Sequence, residues 1–143
     1  MSSIKEVQEE IIEEFGILGD DKESTIYYIM ELGSRLPAFP ESEKVEENII
    51  KGCQSKVWLT AREEDGKVVF NADSNTDITK GLISLLIRVL SGRGFREIVH
   101  ADLYFIEKIG MGNIIGSQRS NGLASMIKQM KLYALAFQAK QNV

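Results

Sequence analysis

Cysteine occurs once in this 143-residue chain, at Cys53, and histidine once, at His100. A lone thiol excludes an intramolecular disulfide. One Cys with one His also excludes a zinc finger, a Cys/His structural metal site and an iron–sulfur cluster held by this chain alone, so any metal would have to be held by carboxylates. Proline is nearly as scarce: Pro37 and Pro40 are the only two, and both fall in one connector. No run approaches the roughly 18 apolar residues of a membrane span, and Met1-Ser2-Ser3-Ile4-Lys5-Glu6 lacks the apolar core of a secretory signal. A soluble protein in a reducing, cytoplasmic setting is the expectation.

Acidic residues vanish after Glu107, and from Lys108 onward the five charged side chains are all basic. Residues 1–50 carry 13 acidic against 4 basic groups, a net of −9, and residues 51–143 carry 8 against 13, a net of +5. The total of −4 argues against a nucleic-acid-binding domain built on a basic surface. The polarity is read as two halves that neutralise each other on folding, or as a polarised face for a protein partner.

What is present fits one ordinary globular domain spanning 1–143, with 43% apolar and 27% charged residues. A chain of this size buries roughly two-thirds of its unfolded surface without needing a metal or a cross-link. Ile4, Val7, Ile11, Ile12 and Phe15 form one stripe of an amphipathic helix over 4–16. Asp20 or Asp21 can cap a second helix, which must end before Pro37. Leu36-Pro37-Ala38-Phe39-Pro40 is an extended connector. Val57-Trp58-Leu59-Thr60-Ala61-Arg62 and Lys67-Val68-Val69-Phe70 are β-rich runs joined at Glu64-Asp65-Gly66, a hairpin signal.

Because a lone hairpin is marginal in water, Asn48-Ile49-Ile50 is expected to add a third strand. Asp73 and Asp77 are read as caps of a helix that buries Ile78, Leu82, Leu85, Leu86 and Val89 and stops at Gly92 and Gly94. Shorter helical pieces follow around 95–101 and 102–109, then a loop through Gly110, Gly112 and Gly116. Ser117 is expected to cap a last helix reaching about Ala139. The fold class is α+β, with helices packed around a small three-stranded antiparallel sheet.

Cys53 is the main candidate for chemistry. It follows Gly52 and precedes Gln54-Ser55 just before an apolar strand, which puts it at a loop between strands. The alternative is a buried, inert cysteine. The flanking residues are polar or flexible, and Lys51 and Lys56 would favour the thiolate, the form that attacks sulfur. Trp58 is read as core rather than contact surface. His100, late in a helix, is read as packing or as a partner of the helix C-terminus, with proton donation as the alternative.

Leu32-Gly33-Ser34-Arg35-Leu36-Pro37, Glu47-Asn48 and Gly52-Cys53-Gln54-Ser55-Lys56-Val57-Trp58-Leu59 together resemble the SufE family of cysteine desulfuration proteins. The likeness continues through Asp73-Ser74-Asn75-Thr76-Asp77-Ile78-Thr79-Lys80-Gly81-Leu82, Asp102-Leu103-Tyr104-Phe105 and Ser117-Gln118-Arg119-Ser120-Asn121-Gly122-Leu123. The resemblance implies a SufE/IscU-like fold. It also implies that Cys53 accepts sulfane sulfur from a SufS-type cysteine desulfurase, activating that enzyme, and carries it as a persulfide to an iron–sulfur scaffold complex. This is a carrier role, not that of an enzyme with its own cofactor: none is implied, no metal, and either a monomer or a homodimer.

The resemblance places Arg119 near the thiol, where a permanent guanidinium charge would steady a thiolate or persulfide; helix packing or a structural salt bridge is the alternative. It also implies a Cys53 loop lying against a pocket and swinging out on docking. Asn121 and Gly122 are read as structural. Two departures stand out: Lys51 replaces a frequent proline before the Gly-Cys pair, and Ile115-Gly116-Ser117-Gln118 replaces the usual Leu-Ser-Pro-x approach to Arg119. Two other functions remain open. One is a non-catalytic adaptor for a desulfurase or related partner, with Cys53 structural; the other is a single-cysteine thiol peroxidase.

Overall fold

The computed structural model describes residues 2–141. Helix α1 (Ile4–Ile17) starts in a capping box: the Glu6 amide donates to Ser3 Oγ at 3.0 Å and the Ser3 amide to the Glu6 carboxylate at 3.2 Å. Its buried stripe is Val7, Ile11 and Phe15, with Ile4 and Ile12 at the margin. Helix α2 (Lys22–Ser34) is capped by Asp21, whose carboxylate accepts from the Ser24 amide. The connector after it is extended, and Phe39 anchors it in the core.

Strands β1 (Val57–Glu64) and β2 (Lys67–Ser74) pair antiparallel from Val57↔Ser74 to Glu64↔Lys67. Asp65 (φ 53) and Gly66 (φ 80) close the hairpin with the two positive φ values that a tight primed turn demands. Val57, Leu59, Val68, Phe70 and Ala72 face inward to the core, where β2 packs on helix α3 (Asp77–Leu90). The third strand is β3 (Arg93–Gly94), beside β2, not the expected 48–50 segment. Gly92, at φ 80, turns the chain back from α3 and donates to Val68 O at 2.7 Å, which brings Arg93 and Gly94 to the free edge of β2. Asn48 instead closes a 3₁₀ turn (Glu46–Asn48), and Ile49 makes only an isolated bridge to Trp58.

Helix α2 crosses α3 at backbone contact. A Cβ on Gly81 would lie 2.0 Å from Ile29 O, and one on Gly33 2.6 Å from Gly81 N. Tyr28 (2.6 Å) and Arg88 both donate to the Glu14 carboxylate, tying α1, α2 and α3 together. Helix α4 (Phe95–Val99) ends at an exposed His100, which occupies the C-cap. Residues 102–104 are not helical, and α5 covers only Phe105–Lys108. Buried Gln8 explains the break: it donates to Asp102 O and accepts from the Phe105 amide, both at 3.1 Å.

The expected glycine loop is itself largely helical: α6 runs Met111–Gln141, interrupted at Gly116 (φ 82, ψ 172). The long helix therefore restarts at Gly116, whose backbone supplies the break, and not at a Ser117 cap. Among the described residues no helix is long and apolar enough to cross a membrane.

Candidate functional site

Cys53 lies in the loop that leaves Ile49 and enters β1. Its base is pinned on both sides. The Ile50 amide donates to Val57 O at 2.9 Å, the Lys56 amide to Asn75 Oδ1 at 3.0 Å, and Ser74 Oγ and the Asn75 amide to Lys56 O at 2.8 and 3.2 Å. Gly52 then takes φ 95, a conformation that side chains resist, and a Cβ there would lie 2.4 Å from Ser125 Oγ on α6. The loop is thus folded hard against α6. Cys53 is half-buried, and its thiol donates to Gly122 O at 3.4 Å. A Cβ on Gly122 would stand 3.5 Å from Cys53 Sγ, so the glycine leaves the sulfur a bare helix backbone to rest on.

The thiol opens onto a cavity of about 80 Å³ between the loop, the start of α3 and α6. That exceeds the roughly 30 Å³ one water occupies in the liquid. Its walls combine Leu82 and Met126 with Ser55, Thr76, Thr79 and Arg119. Arg119 is exposed at the rim and has no salt bridge among the described residues. Thr76 Oγ1 and Thr79 Oγ1 donate to Ser55 Oγ at 2.9 and 3.4 Å, joining the Cys53 loop to α3. Sequence reasoning missed these two threonines and Ser125. The available signal was Thr79: a polar residue on the buried stripe of α3, three positions before Leu82.

Electrostatics differ from the expectation at the thiol. Burial pushes the Cys53 thiol up, and Lys51 and Lys56, both solvent-exposed, do not offset it. In the resting form the sulfur is therefore mostly protonated and sheltered.

Other predicted residues separate from the cavity. Asp73 is not a helix cap. It lies on β2 and bridges Lys44 (3.1 Å) and Lys80 (3.3 Å); burial works to raise its carboxyl, but hydrogen bonds from Lys44, Ser74 and Lys80 hold it below the usual carboxylate range. Asp77 opens the first turn of α3, where a carboxylate suits the helix dipole. Trp58 is not core: it is half-buried, with the Lys44 ammonium 5.5 Å above its ring. A larger groove of about 480 Å³ beside Tyr28 and Arg35 has neither the cysteine nor the histidine in its lining; its Ser84 hydroxyl donates to Gly81 O, and its Arg88 is engaged by Glu14 and Glu10. Among the described residues no three His, Cys, Asp or Glu side chains cluster as a metal site.

The fold and the site define a small α+β protein that presents one sheltered thiol over a mixed polar and apolar cavity. Comparison with known proteins gives that class its family. Residues 9–134 match the family model described as SufE, Fe-S metabolism associated domain. An uncharacterized SufE-like protein of Rhizobium meliloti (strain 1021) is 38% identical over 128 residues, covering 86% of this chain and 91% of its own. One from Synechocystis is 37% identical over 135 residues, covering 92% and 82%. The SufE-like protein 1, chloroplastic/mitochondrial, of Arabidopsis thaliana is 37% identical over 113 residues, covering 78% of this chain and 30% of its own.

In fold, the chain is similar to the solution structure of a hypothetical protein from Thermus thermophilus, with a TM-score of 0.74, 20% identity and coverage of 91% and 94%. This chain belongs to the SufE family, whose role lies in iron–sulfur metabolism.

Proposed function

We propose that this protein is the sulfur acceptor of a SufS-type cysteine desulfurase, taking sulfane sulfur as a persulfide on Cys53 and delivering it to an iron–sulfur scaffold complex. The observation that carries this reading is a solitary thiol, seated on the Gly122 backbone and facing a cavity with room for one more heavy atom. The transfer balances without an added oxidant or reductant. Cys53–S⁻ attacks the outer sulfur of the donor persulfide R–S–SH, a sulfur–sulfur bond forms to Cys53, the donor's bond breaks, and R–S⁻ leaves with the electron pair.

With no second cysteine in the chain, nothing here can resolve the persulfide to a disulfide and release sulfide, so the next acceptor is another molecule. The raised thiol pKa fits a carrier that is quiet alone and gains its thiolate when a partner draws the loop out of its shelter. Arg119, charged at the rim and without a salt bridge among the described residues, would hold the anionic forms of the sulfur. An unpaired free thiol suits a reducing compartment, and the cytoplasm is our assignment.

The test is desulfurase turnover from cysteine with and without this protein. Stimulation that Cys53→Ala abolishes, with partner affinity intact, supports the carrier. Stimulation that survives the substitution means an adaptor instead.

A further inference from the structure

Around the thiol, the hydroxyl count does not close. Ser55, Thr76 and Thr79 bring three O–H protons to one wall of the Cys53 cavity, and they make two contacts with one another, both at Ser55 Oγ. Two contacts use two protons. Ser55 Oγ accepts both, so its own proton has no acceptor among the described residues. Thr79 is only 6% exposed, and its one partner is the long 3.4 Å contact to the shared oxygen. That proton sits on a half-buried serine that lines the cavity, free for an acceptor that enters it. The resting thiol does not take it: its one hydrogen bond among the described residues is the donation to Gly122 O on the facing helix.

We propose that the Ser55–Thr76–Thr79 hydroxyl cluster is a receiving subsite for the anionic outer sulfur of a Cys53 persulfide. The proposal rests on the carrier reading above and adds where the cargo sits. Loading replaces the thiol S–H by an S–S bond, so the inner sulfur no longer donates to Gly122. The outer sulfur of a hydropersulfide is more acidic than a thiol, and once ionised it is an acceptor only. Gly122 offers it a carbonyl, which repels it; the hydroxyl wall offers the unspent proton. Cys53 and the three hydroxyl residues line the same cavity of about 80 Å³. Among the described residues Arg119 is the only charged side chain lining it, and it stands at the exposed rim, so the hydroxyl wall acts through neutral donors. The hydroxyls are positioning groups: they hold the cargo while the chemistry takes place at sulfur.

Wild type, Ser55→Ala, Thr79→Val and Thr79→Ser are loaded with sodium tetrasulfide, and the rate of persulfide alkylation by iodoacetamide is followed against pH by mass spectrometry. The subsite predicts that Ser55→Ala and Thr79→Val move the midpoint of the persulfide profile upward by roughly one pH unit, a tenfold loss of acidity from one charge-assisted hydrogen bond. Thr79→Ser, which keeps the hydroxyl, retains the wild-type midpoint. Variants that alkylate faster at every pH with an unmoved midpoint would show that the hydroxyls only latch the loop, and would overturn the subsite. Unchanged profiles in variants that still load from desulfurase and cysteine overturn the subsite and leave the carrier standing. Failure of wild-type Cys53 to load from desulfurase overturns both.

Discussion

Gly52→Ala separates the seating of the Cys53 loop from the stability of the whole protein. At φ 95 an alanine is strained, at roughly 1–2 kcal/mol. Its Cβ would also stand 2.4 Å from Ser125 Oγ, well inside ordinary contact, and relieving such an overlap costs roughly 1–3 kcal/mol. The sum, about 2–5 kcal/mol, falls on a segment held at its base by a few hydrogen bonds, whereas unfolding the whole domain costs roughly 5–15 kcal/mol. The loop therefore leaves α6 before the core yields.

The assay is iodoacetamide alkylation of Cys53 at fixed pH, beside a thermal melt. Alkylation should accelerate by at least an order of magnitude while Tm falls by only a few degrees. Adding Ser125→Ala removes the worst overlap but not the backbone strain, so it should return part of the rate and not all. An alkylation rate equal to wild type, or a melt that collapses together with the reactivity change, would refute the picture of a separately docked loop.

Two further outcomes follow from the same geometry. Because burial raises the Cys53 thiol, alkylation of the folded protein should centre above the ordinary thiol value of about 8.5 and fall toward it in urea. The folded state then holds this proton more tightly than the unfolded chain. That contribution to stability is fully present below the unfolded pKa and is lost as pH rises through the folded one, so Cys53→Ala should flatten the alkaline decline of Tm; a profile centred at or below about 8.5 refutes the burial argument. Gly81→Ala would put a methyl 2.0 Å from Ile29 O, with backbone on both sides, and should cost roughly 3 kcal/mol or more; urea melts that overlay wild type would contradict the α2–α3 contact.

Legibility from sequence followed the range of the interaction. The stripe Val7, Ile11, Phe15, the Asp21 cap and the Asp65-Gly66 turn are local, and each stands where spacing and propensity put it. The third strand did not follow local signals. Ile49 and Ile50 have the composition of a strand, but β3 is set by the Gly92 turn, which brings two residues of unremarkable β propensity to the free edge of β2. Gln8 reads as polar surface on a helical wheel, yet it is buried because residues 102–105 cross over it.

At the site, the lone cysteine and its glycine were visible. Apart from Gln54 and Ser55, the groups that line the cavity beside the sulfur come from α3 with its cap and from α6, more than twenty residues away in the chain, and no spacing rule joins them to it. The charge argument at Cys53 failed for the same reason: adjacent lysines in sequence point to water, while burial, a tertiary property, sets the thiol.

A sulfur carrier must take up one extra sulfur atom on this thiol and pass it on. Non-reducing mass spectrometry after incubation with a cysteine desulfurase and sulfur-labelled cysteine tests it most directly. The expected result is one labelled sulfur on the peptide containing Cys53, released on addition of a scaffold acceptor and absent in Cys53→Ser. Label that is missing from that peptide, or that persists in Cys53→Ser, would contradict it.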